Sequence, residues 1–206
     1  MKIVYDGTLD PRLCKSVLGE TIPALAAEDP DLIYLDADLM NCIGTAKWAA
    51  ENPDRAIECG IAEANMIGVA AGLSLTGKVP FCHSFGPFAS RRCYDQIFLS
   101  GGYAKNDITV IGTDPGVTAT MNGGTHMPFE DMAVLRGIPE ITLIEPSAAA
   151  LKRAGNNLSK AMENYDAAID TVECYLPANT DSANSLSALE MNLPGTVHIF
   201  SNILDI

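Results

Sequence analysis

Three segments of this chain carry side chains whose types and spacing can do chemistry. Glu63 heads the run Ala64-Asn65-Met66-Ile67-Gly68-Val69-Ala70-Ala71-Gly72-Leu73, which is apolar or small at nearly every position. A carboxylate entering so apolar a helix is costly to bury unless it is paired. Desolvation raises its pKa, while the helix N-terminus favours its charge. Glu63 is therefore either a first-turn capping acid or a functional carboxyl that meets a ligand. In Phe81-Cys82-His83-Ser84-Phe85-Gly86-Pro87-Phe88, two aromatics three apart follow a strand end across a Gly-Pro turn. Phe85 and Phe88 either join the core or form an aromatic wall against a flat heterocycle. The third segment, from Gly112 to Asp131, is a long polar loop with Asp114, Asn122, paired glycines and the titratable His126. Loops of that length in compact domains are commonly functional. His126 and Glu130 are four apart, but the intervening Pro128 disfavours a regular helix. The further ligands zinc requires are not visible, so no metal site is expected in the chain.

A decoy motif is set aside on geometry. Gly72-Leu73-Ser74-Leu75-Thr76-Gly77-Lys78-Val79 has the spacing of a phosphate-binding loop, but Val79 stands where magnesium needs a hydroxyl. It also runs from helix to strand, the reverse of the arrangement that cradles phosphate. Gly77 is read instead as a helix C-cap. The six cysteines show no C-x-x-C spacing and are read mostly as small core residues.

The elements that must position these residues follow from patterning. The 206 residues are 48% hydrophobic and 19% charged, with net charge −13, enough for one α/β domain with an appendage. There is no cationic field for a nucleic-acid backbone. The amino-terminal residues turn polar too early for a signal peptide, and no apolar run approaches the ~20 residues of a membrane span. The expected location is cytoplasmic. A helix is expected over 10–28, a buried strand over 32–35 ending in Asp36-Ala37-Asp38, and a helix over 62–76. Strand 79–82, a helix from about 88 to 101, strand 108–112, a short helix over 130–136 and strand 141–144 follow. Alternating strands and helices imply a mainly parallel sheet with helices on both faces. Helix 62–76, apolar nearly all round, is expected to be buried on most sides and approached closely at Gly68 and Gly72. The domain is placed at residues 1–150. Residues 151–206 are read as a carboxyl-terminal extension of unclear role, with a helix over 148–162, a strand over 171–176, and then irregular chain. Val197 to Ile206 is an isolated apolar end.

Taken together, Gly60-Ile61-Ala62-Glu63-Ala64-Asn65-Met66-Ile67-Gly68, Ser84-Phe85-Gly86-Pro87-Phe88, Gly123-Gly124-Thr125-His126 with Glu130-Asp131, and Glu145-Pro146-Ser147 resemble the pyrimidine-binding domain of transketolases. The closer resemblance is to the carboxyl-terminal subunit of transketolases split over two chains. It covers residues 3–150 in consistent order and implies the thiamin-diphosphate-binding fold of pyrimidine-binding type. In that family the glutamate that Glu63 matches shares a proton with N1′ of the coenzyme's aminopyrimidine in a dry site. By the same match, Phe85 and Phe88 pack on the pyrimidine. His126 faces the substrate oxygens as a second catalytic residue, and Asp114 and Asn122 stand at substrate-binding positions. The usual residues at those last two positions are His and Asp, so the donor sugar differs or its contacts are changed.

The family's diphosphate half, a G-D-G motif with a spaced Asn that holds magnesium, is absent from the sequence. The resemblance therefore implies a separate partner subunit carrying the diphosphate and Mg2+ site, and a dimer of such heterodimers. The implied activity is transfer of a two-carbon ketol unit from a ketose to an aldose. Other readings are a deoxyxylulose-phosphate synthase-like or 2-oxoacid dehydrogenase β-like subunit, and a non-catalytic binding or regulatory subunit of the same fold.

Overall fold

The computed structural model describes residues 14–139, 141–144, 171–172 and 197–201. Leu32-Ile33-Tyr34-Leu35-Asp36 forms β1 (Leu32–Asp36), buried along its whole length. An unbroken buried run of this kind suits a strand covered on both faces. β1 pairs in parallel with β2 (Ala56–Glu58) and β3 (Val79–Phe85), and β3 with β4 (Ile108–Thr113). β5 (Ile141–Ile144), β6 (Thr171–Val172) and β7 (Val197–Ser201) complete a seven-stranded sheet in the order β2-β1-β3-β4-β7-β5-β6, parallel throughout.

Two apolar layers cover this sheet. On one face Ile22 and Ala26 of α1 (Cys14–Glu28) pack against Leu32, Tyr34, Phe81 and Ile111. On the other, Met66, Ile67, Ala70 and Ala71 of α4 (Glu63–Leu75) meet Ile33, Leu35, Cys82 and Val110. Side chains alternate across each strand, so β3 sends Phe81 to one layer and Cys82 to the other. The link from β1 to β2 holds α2 (Met40–Ile43) and α3 (Ala46–Glu51).

Several expectations are revised. The helix expected from about 88 to 101 is a series of short pieces. These are α5 (Gly86–Ala89), a 3-10 turn at Arg91–Cys93, α6 (Tyr94–Gln96) and a π-helical stretch at Ile97–Tyr103. The wide turn brings Gly102 against the link before β5, where an added Cβ would sit 2.6 Å from Ile138 Cγ2. α4 is buried on one face only: Gly68 and Gly72 are exposed, and no atom of the described residues lies within 4 Å of a Cβ placed on either. Its apolar composition therefore leaves an open small-residue face within this chain. Val197–Ser201, expected in irregular chain, lies between β4 and β5 and pairs with both. A parallel sheet must satisfy backbone groups on both sides of each inner strand, and this segment supplies them for β4 and β5. The helix expected over 148–162 lies outside the described residues. No helix among the described residues is long and apolar enough to cross a membrane.

Candidate active site

The carboxyl ends of β1, β3 and β4 lie side by side, with Asp36 in register with His83 and Phe85 with Thr113. Glu63, the first residue of α4, reaches this edge and is only 1% exposed. Its Oε1 accepts the Ser84 hydroxyl at 2.9 Å. Arg92 Nη1 lies 3.0 Å from Oε1 and 2.9 Å from Oε2. A buried carboxylate is tolerable here because a cation and a hydroxyl replace the water it lost. The same guanidinium lies over the Phe88 ring, 3.6 Å from its centroid, a cation–π contact that orients it. Glu63 is thus more than a helix cap: its side chain points at Ser84 and Arg92, and no cap hydrogen bond is formed at Ala62.

The two phenylalanines stand together rather than in the core. Their ring centroids are 6.2 Å apart at an interplanar angle of 66°. The imidazole of His126 packs edge-on to both, 5.6 Å from Phe85 and 5.0 Å from Phe88. Three rings of the expected site are therefore assembled from a strand end, α5 and the 3-10 turn at Gly124–His126. The Thr125 hydroxyl lies 2.9 Å from His126 Nδ1.

Arg91 ties the His126 loop to the aromatic segment. It forms an ion pair with Glu130, and its Nη2 donates to the Thr125 carbonyl at 3.1 Å. The hydrogen bond from Arg91 holds the Glu130 carboxyl below its ordinary range. Two adjacent arginines therefore do different work: Arg92 faces inward to Glu63, and Arg91 faces the loop.

Asp114 follows β4 directly and adopts a left-handed backbone at φ 52°. Asn122 is exposed in the turn before Gly123. Among the described residues no hydrogen bond or ring contact joins Asp114 or Asn122 to the Glu63–Phe88–His126 cluster. No group of three or more His, Cys, Asp or Glu among them is placed to hold a metal.

Arg92 and the network beneath the site were not anticipated from the sequence. The signal for Arg92 was its place four residues after Phe88, close enough to fold back over the ring. In the network, His83 Nδ1 lies 2.7 Å from Asp36 Oδ2 and Nε2 lies 3.1 Å from Thr113 Oγ1. Asp36 also accepts the Tyr34 hydroxyl and the Leu39 backbone N–H. Burial, reinforced by the Asp36 charge, pushes the Tyr34 phenol far above its usual range and keeps it a neutral donor. Among the cysteines, Cys82 and Cys93 are buried, Cys59 is half-buried and Cys42 is exposed. Burial pushes the Cys59 thiol up to about 11 and that of Cys93 up to about 12.

The protein is thus a parallel α/β sheet domain with an acid, an aromatic pair and a histidine gathered at its carboxyl edge. The family model for the transketolase pyrimidine-binding domain matches residues 13–169, and the chain belongs to that family. It is 51% identical over 150 residues to the 6-deoxy-6-sulfo-D-fructose transketolase subunit SqwH of Clostridium sp. (strain MSTE9), covering 73% of this chain and 47% of that protein. It is 30% identical over 152 residues to an apulose-4-phosphate transketolase subunit of Phocaeicola vulgatus, covering 74% and 48%. A solved split-gene transketolase described as an inactive beta4 tetramer superposes with a TM-score of 0.60 at 30% identity, over 91% of this chain and 50% of that one. The chain thus spans about half the length of these relatives.

Proposed function

We propose that this chain is the pyrimidine-side subunit of a thiamin-diphosphate-dependent transketolase that moves a two-carbon ketol unit from a ketose to an aldose. The observation that carries the reading is Glu63, a sealed carboxylate joined through Arg92 to Phe88 of the Phe85–Phe88–His126 ring cluster. A flat, basic heterocycle is the ligand such a site suits. Glu63 offers a proton-sharing oxygen in a dry setting, and the rings offer stacking surface. Thiamin diphosphate supplies, when bound, the carbon nucleophile that the amino acids lack.

In this reading Glu63 holds a proton at the pyrimidine N1′, with Ser84 and Arg92 fixing its orientation. Phe85 and Phe88 exclude water from the ring. His126, braced by both rings, faces the sugar and stabilises charge that develops on its oxygens. Asp114 and Asn122 contact the sugar hydroxyls.

In this reading the diphosphate and Mg2+ are held outside these 206 residues, which contain no G-D-G motif, and are assigned to a partner subunit. The names of the relatives, subunits of transketolases, and the inactive beta4 tetramer formed by a split-gene relative both favour this division. The open face of α4 favours further association, with a dimer of heterodimers as the proposed assembly. The proposed setting is the cytoplasm.

The test is reconstitution with the partner subunit, thiamin diphosphate and Mg2+, scored by ketol transfer among candidate ketoses that include a 6-sulfonated one. Glu63→Gln should assemble normally and lose nearly all turnover. Wild-type turnover in that variant removes Glu63 from its role, and tight coenzyme binding by this chain alone sinks the division of labour.

A further inference from the structure

We infer that the buried Asp36–His83–Thr113 chain is a positioning device for the loop that begins at Asp114, and that through this loop it sets affinity for the sugar donor. The inference rests on the function proposed above.

The chain's geometry resembles the acid–base–hydroxyl order of nucleophilic catalysis, with Asp36 on Nδ1 of His83 and Thr113 Oγ1 on Nε2. Placement decides against that role. Asp36 and His83 are 0% exposed and Thr113 is 1% exposed, and, unlike Glu63, which Arg92 links to the Phe88 ring, their side chains are joined to the ring cluster by no hydrogen bond or ring contact among the described residues. What the arrangement can do is lock three strands together. Asp36 closes β1, His83 lies in β3 and Thr113 closes β4. Three donors, Tyr34, Leu39 and His83, converge on the two oxygens of Asp36. Nδ1 therefore donates to Asp36, and in the neutral imidazole Nε2 accepts the Thr113 hydroxyl.

The lock sits immediately before a left-handed residue. Asp114 has φ 52°, a left-handed conformation that is uncommon outside glycine, although Asp adopts it more readily than most residues, and it turns the chain out of β4. Thr113 is held by its side chain to His83, and its carbonyl oxygen lies close to Gly86, 3.3 Å from where an added Cβ would sit. Pro128, at the far end of the loop, closes on the same glycine, 3.0 Å from the position of that Cβ. Both ends of the 114–128 segment are thus seated on the turn between Phe85 and Phe88. His83 is the side chain that bolts the first end, and among the described residues no hydrogen bond or ring contact joins it to the ring cluster or to Glu63.

The experiment compares Thr113→Val, which keeps the shape and removes the hydroxyl, with Thr113→Ser, which keeps the hydroxyl. In the assembled enzyme Thr113→Val should raise KM for the ketose donor about fivefold, the effect of one lost neutral hydrogen bond, and leave kcat within about twofold. Thr113→Ser should restore the wild-type KM. In the full chain by itself, backbone hydrogen exchange over residues 114–123 should quicken in Thr113→Val alone. Unchanged KM and exchange in Thr113→Val overturn the inference. So does an equal loss of thermal stability and kcat in both variants, which marks a packing role only. If the wild-type assembly turns over no ketose, the proposed function fails, and the exchange measurement still decides whether the chain positions the loop.

Discussion

The Arg92 guanidinium touches both carboxylate oxygens of Glu63 while lying on the face of Phe88. One cation therefore couples the buried acid to the aromatic wall. Arg92→Gln leaves Glu63, 1% exposed, with Ser84 as its remaining partner among the contacts described. Breaking a buried pair from one side costs about 3–5 kcal/mol, but the Arg92 side chain is 41% exposed, and solvent screening reduces that figure. A loss of roughly 1–2 kcal/mol in urea unfolding is expected for Arg92→Gln. The double variant with Glu63→Gln should recover most of it, because the unpaired charge is then gone. Additive losses in that cycle would show that the two residues are not coupled.

The Arg91–Glu130 tether makes the His126 loop sensitive to acid. The hydrogen bond from Arg91 lowers the Glu130 carboxyl in the folded chain, so its stabilising contribution is fully present above the ordinary carboxylate value. That contribution is lost as pH falls through the lowered value. Both partners are 40% exposed, so the effect is local rather than global. As pH falls from the ordinary carboxylate range through the lowered value of Glu130, proteolytic nicking of residues 114–130, or their hydrogen exchange relative to the intrinsic rate at each pH, should rise before the sheet melts. Arg91→Gln should show the faster exchange already at neutral pH and a flatter pH dependence. An identical pH profile in that variant would rule the tether out.

Gly102 and Gly68 make opposite predictions from the same substitution. A Cβ on Gly102 would meet Ile138 Cγ2 at 2.6 Å and the Pro139 carbonyl oxygen at 2.9 Å. Overpacking of this kind costs about 1–3 kcal/mol, so Gly102→Ala should lower the melting temperature by several degrees. A Cβ on Gly68 meets no atom of the described residues within 4 Å, and the residue lies inside a helix. Gly68→Ala should stabilise the isolated chain by up to about 1 kcal/mol through helix propensity alone. Thermal unfolding of the two single variants checks both signs.

Local pattern carried the reading of the fold as far as contacts stay local. Leu32–Asp36, Glu63–Leu75, Ile108–Thr113 and Ile141–Ile144 could be read from apolar runs bounded by Asp, Pro and Gly. Val197–Ser201 could not, because its place is fixed by pairing with Ile108–Gly112 and Ile141–Ile144, far away in sequence. Periodicity over a short window holds no trace of that partner choice. The segment 86–103 was legible as helical but not as broken, since its π-helical turn answers to the close approach at Gly102. In the site, Glu63, Phe85, Phe88 and His126 stood out by residue type in unusual surroundings. Arg92 and His83 did not: an arginine after a helix start reads as solvated and a histidine within a strand as core. What distinguishes them is the atoms they meet, Glu63 in one case and Asp36 with Thr113 in the other.

The open face of α4 yields the last prediction. Ile61, just before α4, is 73% exposed, Val69 36% and Leu75 76%, and Gly68 and Gly72 are exposed with no described residue above them. Small residues let another backbone approach closely, so a large side chain there should block association while leaving this fold intact. Gly68→Leu has open space in the chain itself and improves helix propensity, so its unfolding midpoint should match or exceed that of the wild type. If α4 meets another subunit, size-exclusion chromatography with light scattering should show Gly68→Leu shifted to a smaller species under conditions where the wild type self-associates. Wild-type assembly in Gly68→Leu would place the interface elsewhere. Lost assembly together with a lowered midpoint would instead mean that the helix packs within its own chain, against the open space found around Gly68.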